Sequence, residues 1–240
     1  VTPATETPRV PPLRRVRWDK TYRLVPSRYP PVDLFERVGD PADWELLAHI
    51  EGLTNDRLRE EVGEISAVPV AERVCGQGAS PIMAAFTHIG FASRFSDGSY
   101  GVYYASNRFD GALREVLHHR TRFFQRTSEP RTQIDLRTYV GRIDSRLHDI
   151  RGGWSLAHDP NSYLHSQALA KQLRKQGSRG IVYDSVRLAA AKNLAVFRPS
   201  VLAASDGHPH VIQGPHVRVE WDGVKMSRYI VMGEADWTVL

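Results

Sequence analysis

An α+β architecture is predicted by three features of this 240-residue chain. Apolar residues recur at helical spacing in some windows and gather into short β-rich runs in others. The two kinds of segment are interspersed, without the regular strand–helix alternation of a doubly wound sheet. The stretch from His210 to Val231 alternates as a hairpin or meander does.

Residues 1–20 carry Pro3, Pro8, Pro11 and Pro12 among Arg9, Arg14, Arg15, Arg17 and Lys20, and read as a basic, Pro-rich, flexible or surface-draped arm. Tyr22–Val25 reads as a short strand stopped by Pro26, and Pro30-Pro31 marks a loop. Asp40 before Pro41 predicts a helix start, with Trp44, Leu46, Leu47 and Ile50 as its apolar stripe. A second helix is expected over 56–62. Gly76, Gly78 and Pro81 signal a loop before a short apolar segment, Ile82 to Phe86. Residues 100–106 read as an aromatic-rich strand. From Asp110 to Phe124, positions 112, 113, 116, 117, 123 and 124 fall on one helical face. A strand is expected over 132–143 and a helix over 162–176, ended by Gly177. Gly180–Tyr183 and Leu194–Phe197 read as short strands.

Composition bounds the function. Lys plus Arg (32) less Asp plus Glu (27) gives +5, a mildly basic balance that suits solubility or an anionic ligand. Cys75 is the single cysteine, so no internal disulfide can form. No apolar run approaches the roughly 20 residues of a membrane span, and the N-terminal stretch has no apolar signal core. Cytoplasm is therefore the expected location. Gly76-Gln77-Gly78 begins like a dinucleotide fingerprint, but Pro81 stands where the third glycine belongs. Neither a phosphate-binding Gly-Lys-Ser/Thr loop nor a Gly-x-Ser-x-Gly elbow occurs. His118-His119 are adjacent on a helix, and His208 and His210 flank Pro209 without a carboxylate, so no metal site is expected.

Three segments remain. The first is Ser93-Arg94-Phe95-Ser96-Asp97-Gly98-Ser99-Tyr100-Gly101-Val102-Tyr103-Tyr104-Ala105-Ser106. The second is Ala112-Leu113-Arg114-Glu115-Val116-Leu117-His118. The third runs from Gly180 through Tyr183-Asp184-Ser185 to Asn193-Leu194-Ala195-Val196-Phe197-Arg198-Pro199. In order and spacing they resemble the RES domain, named for its Arg, Glu and Ser. The likeness covers about residues 80–200, with Tyr22-Arg23 matching an arginine-bearing first strand. Leu53–Arg59 and Met83–His88 resemble the longer form of the family. One departure is the alanine-rich Leu188–Ala191, where a glycine-bearing turn is common.

The resemblance implies a fold like that of ADP-ribosyltransferases and cleavage of the nicotinamide–ribose bond of NAD. It implies a toxin role, with a helix-turn-helix (Xre-type) antitoxin covering the site and possible self-association. NAD is then the substrate, with no separate cofactor or metal. The expected layout is a basic arm (1–20) and one domain (21–240). That domain comprises a mainly helical extension (21–80), a RES core (81–200) and C-terminal strands (201–240).

The candidate residues suit this chemistry. Loss of nicotinamide leaves a cationic ribose that a carboxylate stabilises, and Glu115 is the candidate. Read alone, it is a helix glutamate off the apolar face, pointing to water or to a cleft. Arg94 has the planar fork for a diphosphate, and Arg23, a charge in an otherwise apolar strand, is a second phosphate candidate. Tyr104 is either a stacking ring for nicotinamide or a core aromatic, and alternation puts Tyr103 on the opposite face. Ser185 either bonds the nicotinamide amide or a ribose hydroxyl, or is structural. His118 and His119 lie within a helical turn of Glu115. Two alternatives stand beside NAD hydrolysis or phosphorolysis. One is transfer of ADP-ribose to a protein. The other is a basic nucleic-acid-binding module, disfavoured because no aromatic stacking platform is evident.

Overall fold

Strand β1, Leu13–Pro26, departs most from the expected layout, because it begins inside the predicted basic arm. Arg15 and Arg17 alternate with Val16, which is buried, so the charges face outward from a paired strand. Backbone pairing with a second long strand satisfies this segment, whose prolines and charges alone suggested a tail. The computed structural model describes residues 10–27, 36, 40–52, 62–204 and 207–240. The first nine residues of the arm, the Pro30-Pro31 loop and the helix expected over 56–62, apart from Val62, lie outside them.

The partner of β1 is β3, Thr132–Asp149, six residues longer than the strand expected over 132–143. The other strands are β2 (Tyr103–Ser106), β4 (Gly180–Asp184), β5 (Lys192–Val196), β6 (Val211–Trp221), β7 (Met226–Val231) and β8 (Thr238–Val239). They form one eight-stranded sheet in the order β1-β2-β5-β4-β3-β6-β7-β8. Because β1 also pairs with β3, the first five strands in this order close into a ring. Most pairings are antiparallel, and β3–β4 is parallel. The α+β class is as predicted, while β1, β3 and β6 are longer than its expected short strands.

Four α-helices surround this sheet among the described residues: α1 (Trp44–Gly52), α2 (Ser80–Thr87), α3 (Phe109–Thr127) and α4 (Leu164–Lys175). Asp40 accepts a hydrogen bond from the Ala42 amide in a turn ahead of α1, so the helix starts at Trp44 instead of Pro41. Of the expected stripe, Trp44 is buried, whereas Leu46 and Ile50 are exposed. On α3 the apolar face is Ala112, Leu113, Leu117 and Phe124, and Phe123 turns to solvent.

The core has three parts. One holds Trp44, Ile65, Val68 and Phe86 together with the strand residues Val16, Leu147 and Leu194, so the segment before residue 80 shares its core with the sheet. The second packs α3 on β1, β3, β6 and β7, through Leu113, Leu117, Leu24, Leu136, Val217 and Trp221. The third packs α4 on β4 and β5, with Phe95 and Val102 between them. Burying each such side chain contributes about 1.5–3 kcal/mol.

The start of α3 is held close to the sheet by Gly111. A Cβ there would lie 2.5 Å from Ser106 Oγ and 3.0 Å from Ala191 Cβ. Gly111→Val is expected to destabilise the protein by about 1–3 kcal/mol in urea unfolding. An unchanged midpoint would show that this close approach is not needed.

Candidate functional site

A cavity of about 300 Å³ opens where the second and third parts of the core meet. Its walls are Tyr22–Leu24 of β1, Ala92–Arg94, Tyr104–Ser106 of β2, the α3 face bearing Ala112, Glu115, Val116, His119 and Arg120, Tyr183 of β4 and Asn193 of β5. The volume is at the lower end of the range for small-ligand sites. Pairing sets the floor: Asn193 lies opposite both Ser106 and Tyr183, which turns these three side chains to one side of the sheet.

Glu115 is half-buried at this floor. Its Oε1 accepts hydrogen bonds from Ser185 Oγ at 3.1 Å and from Asn193 Nδ2 at 3.0 Å. A carboxylate only accepts, so the Asn193 amide must present its NH2 here, which fixes which way the amide is turned. Its Oδ1 is buried without a hydrogen-bond donor among the described residues.

Ser185 does not line the cavity. Its one proton goes to Glu115, and its oxygen accepts from the Arg187 and Leu188 amides, both at 3.2 Å. With donor and acceptors engaged, Ser185 holds the carboxylate and closes the turn after β4. That turn is the alanine-rich one, and its Ala190 takes a left-handed φ of 65°. Ala191 nevertheless closes it, donating to Leu188 O and accepting from the Ser185 amide.

Arg94 is 7% exposed and borders the cavity. Its Nη1 donates to the carbonyls of Ala157 and Asp159, and the guanidinium lies over the Tyr163 ring. Nε and Nη2 have no acceptor among the described residues. The turn that carries Arg94 is pinned by α4: Ser166 Oγ donates to Arg94 O, and Gln167 Nε2 to Ser93 O and Ser96 O. Tyr104 offers the cavity its ring, because its hydroxyl accepts from the Phe95 amide at 2.9 Å and meets Ser93 Oγ at 2.8 Å. Burial raises its pKa, as it does that of Tyr183, where the Glu115 charge adds to the effect. Both hydroxyls therefore stay protonated at neutral pH. Tyr103 points into the core on the other face.

Arg23 lines the same cavity, with Nη1 on Tyr104 O at 3.3 Å and its guanidinium 4.8 Å from the Tyr103 ring centroid. Burial lowers its pKa. Arg120, which sequence reasoning did not single out, is a third guanidinium in the wall. Tyr22 and Leu24 pack toward α3, so Arg23 between them turns its guanidinium to the Tyr103 side of the sheet. Arg94 and Arg120 share the cavity wall with one carboxylate, Glu115, so the cavity is positive and suits an anionic ligand. Tyr183, Asn193 and Ser106 were also missed as site residues. Strand position was the available signal for them, but it depends on knowing which strands are neighbours.

The two histidines take separate roles, and neither bonds Glu115. His118 Nε2 meets Arg187 Nη2 at 2.9 Å, and a guanidinium can only donate, so this ring is neutral with Nε2 as acceptor. Arg187 also donates to Pro160 O, which ties the turn after β4 to the loop beside Arg94. His119 lines the cavity while keeping part of its ring in solvent. Desolvation, then the nearby His118, Arg187, Arg122 and Arg94, push it down to about 4. Among the described residues no His, Cys, Asp and Glu cluster could hold a metal ion. No helix among them is long and apolar enough to cross a membrane.

The RES domain family model matches residues 70–222, a span that contains every wall segment except that of β1. The uncharacterized protein y4oC of Sinorhizobium fredii (strain NBRC 101917 / NGR234) is 28% identical over 225 residues, which cover 90% of this chain and 89% of that protein. Among solved structures, the M. tuberculosis MbcT–MbcA toxin–antitoxin complex gives a TM-score of 0.42 at 9% identity, covering 87% of each chain.

Two outcomes follow from this geometry. An L-residue in the left-handed region costs about 1–2 kcal/mol, so Ala190→Gly is expected to stabilise the protein by about 1 kcal/mol in urea titration; a loss would show that the turn is not strained. The folded pKa of His119 lies below the 6.5 of an unperturbed histidine, so on acidification the unfolded chain takes up the proton first. This contribution to stability is complete above 6.5 and is lost as pH falls toward about 4. His119→Gln should lose less stability than the parent between pH 7.5 and pH 5, and equal losses would contradict the assignment.

Proposed function

Because this chain belongs to the RES-domain family, we propose that its cavity binds NAD+ and cleaves the nicotinamide–ribose bond, in the manner of a toxin that depletes NAD. The observation that carries the reading is Glu115, a carboxylate fixed by two donors within a wall otherwise rich in guanidinium. The positive wall accommodates the diphosphate through Arg94, whose planar group matches phosphate oxygens, with Arg120 beside it in the wall. The ring of Tyr104 gives nicotinamide an aromatic face.

In the reaction, the bond between ribose C1′ and the pyridinium nitrogen breaks, and its electron pair stays with nicotinamide, which leaves neutral. Positive charge develops on C1′ and the ring oxygen of the ribose. Glu115 stabilises that charge more strongly than it does the ground state, which lowers the barrier. Water then adds to C1′ and releases a proton, giving ADP-ribose, nicotinamide and H⁺. Phosphate in place of water would give a phosphorylated ADP-ribose. Ser185 and Asn193 act by holding the carboxylate in place.

The family resemblance also supports an antitoxin that covers the site. Phe91, Leu156 and Leu164 are 86%, 62% and 70% exposed, and each adjoins a residue of the cavity wall or of the setting of Arg94. Exposed apolar groups placed in this way suit a protein partner.

Nicotinamide release from NAD+ by purified protein tests the proposal. Glu115→Gln is expected to lower kcat by about 10²–10³-fold with KM little changed. Ser185→Ala, which leaves the carboxylate present but less fixed, should cost about tenfold. Release by Glu115→Gln at the parent rate would overturn the role given to this residue. Labelled NAD+ that marks protein bands instead of yielding free ADP-ribose would favour transfer over hydrolysis.

A further inference from the structure

We propose that a second cavity, between the Arg174 end of α4 and the segment 67–72, is a binding site for a small organic anion, with one oxyanion head and an apolar body. It has a volume of about 210 Å³ and shares no wall residue with the cavity that holds Glu115. The inference is independent of the NAD reading.

Two guanidiniums, Arg174 and Arg198, line this space with one carboxylate, Glu72. Both oxygens of Glu72 are engaged, one by Arg198 Nη1 and the other by Ser200 Oγ, each at 2.7 Å. No direct Glu72 hydrogen bond to Arg174 is formed. Its guanidinium carbon lies 3.6 Å from the Tyr100 ring centroid, and among the described residues no carboxylate pairs with it. Asp97, the acid that acts on it from a distance, pairs instead with Lys171. Partial burial lowers the pKa of Arg174 and the Tyr100 beside it acts in the opposite direction, with a further lowering from Arg198.

The rest of the wall mixes apolar groups with Tyr100 and with Ser178, whose hydroxyl is engaged by His148 and Gly180. Val68, Phe86 and Phe197 are buried, and Pro69 and Pro199 complete the surface. An oxyanion head bridging Arg174 and Arg198 would supply a second negative charge to these two cations. A short hydrocarbon body would cover the apolar wall. The cavity floor depends on Gly101, where an added Cβ would lie 2.3 Å from Phe86 Cα. The bland account of Arg174 is a cation completing the C-terminal end of α4. That account explains neither Arg198 nor the shared cavity.

The test titrates ¹⁵N-labelled protein with sodium butyrate and, separately, with sodium phosphate, following backbone amide shifts. Saturable shifts at Val68, Tyr100 and Phe197 are expected with either anion. Arg174→Gln should weaken binding about tenfold, the value of one charge-assisted hydrogen bond. Glu72→Gln, which releases Arg198, should tighten binding severalfold; its opposite sign separates a ligand site from general damage to the fold. The proposal is overturned if the shifts do not saturate, if they appear only around Ala92–Arg94 and Ser106, or if Arg174→Gln binds as the parent does. The last result would leave Arg174 as a helix-end cation only.

Discussion

One oxygen atom of Glu115 receives hydrogen bonds from residues 70 and 78 positions further along the chain, and most of the candidate site depends on that convergence. The helix bearing Glu115 is pressed onto the sheet at Gly111. The pairing of β4 with β5 places Asn193 beneath the carboxylate, and the turn after β4 brings Ser185 to its side. Hydrogen bonds to a charged group contribute about 1.5–3 kcal/mol each. Without them a half-buried carboxylate would swing toward the nearest guanidinium. Held as it is, Glu115 can neutralise a cation that exists only transiently.

The surroundings of this carboxylate supply the rest of the electrostatics. Arg94 and Arg120 make the wall positive, which suits an anionic ligand, and the proposed reading sets its diphosphate near them and its ribose near Glu115. Arg94 is braced through carbonyls of the 155–159 segment and through α4, and Tyr104 is braced through its hydroxyl. Such bracing keeps the groups from reorganising when charge develops on the ligand, which is where preorganised sites gain their effect.

Local pattern made several of these features legible in the sequence. The face of α3, the alternation of Tyr103 and Tyr104, the end of α4 at Gly177 and the C-terminal hairpin all follow from periods of 3.6 or 2 and from turn residues. The order of the three segments pointed to Arg94 and Glu115, which the fold brings to one cavity. Three things were not legible. The strand character of residues 13–20 was masked by arginines whose outward alternation shows only once β3 is known as the partner. The site role of Asn193 depends on strand neighbours far apart in sequence. Ser185 could be seen as a site residue, but its contact with the Glu115 carboxylate rests on three hydrogen bonds that no spacing encodes.

The most direct test of this account is a crystal structure of Glu115→Gln with NAD+ bound. The account predicts the C1′ atom of the nicotinamide ribose beside the residue 115 side chain, the diphosphate against Arg94, and the Ser185 hydroxyl turned away from the ligand. A dinucleotide bound elsewhere, or one in this cavity with its diphosphate at residue 115 and its ribose remote from it, would contradict the account.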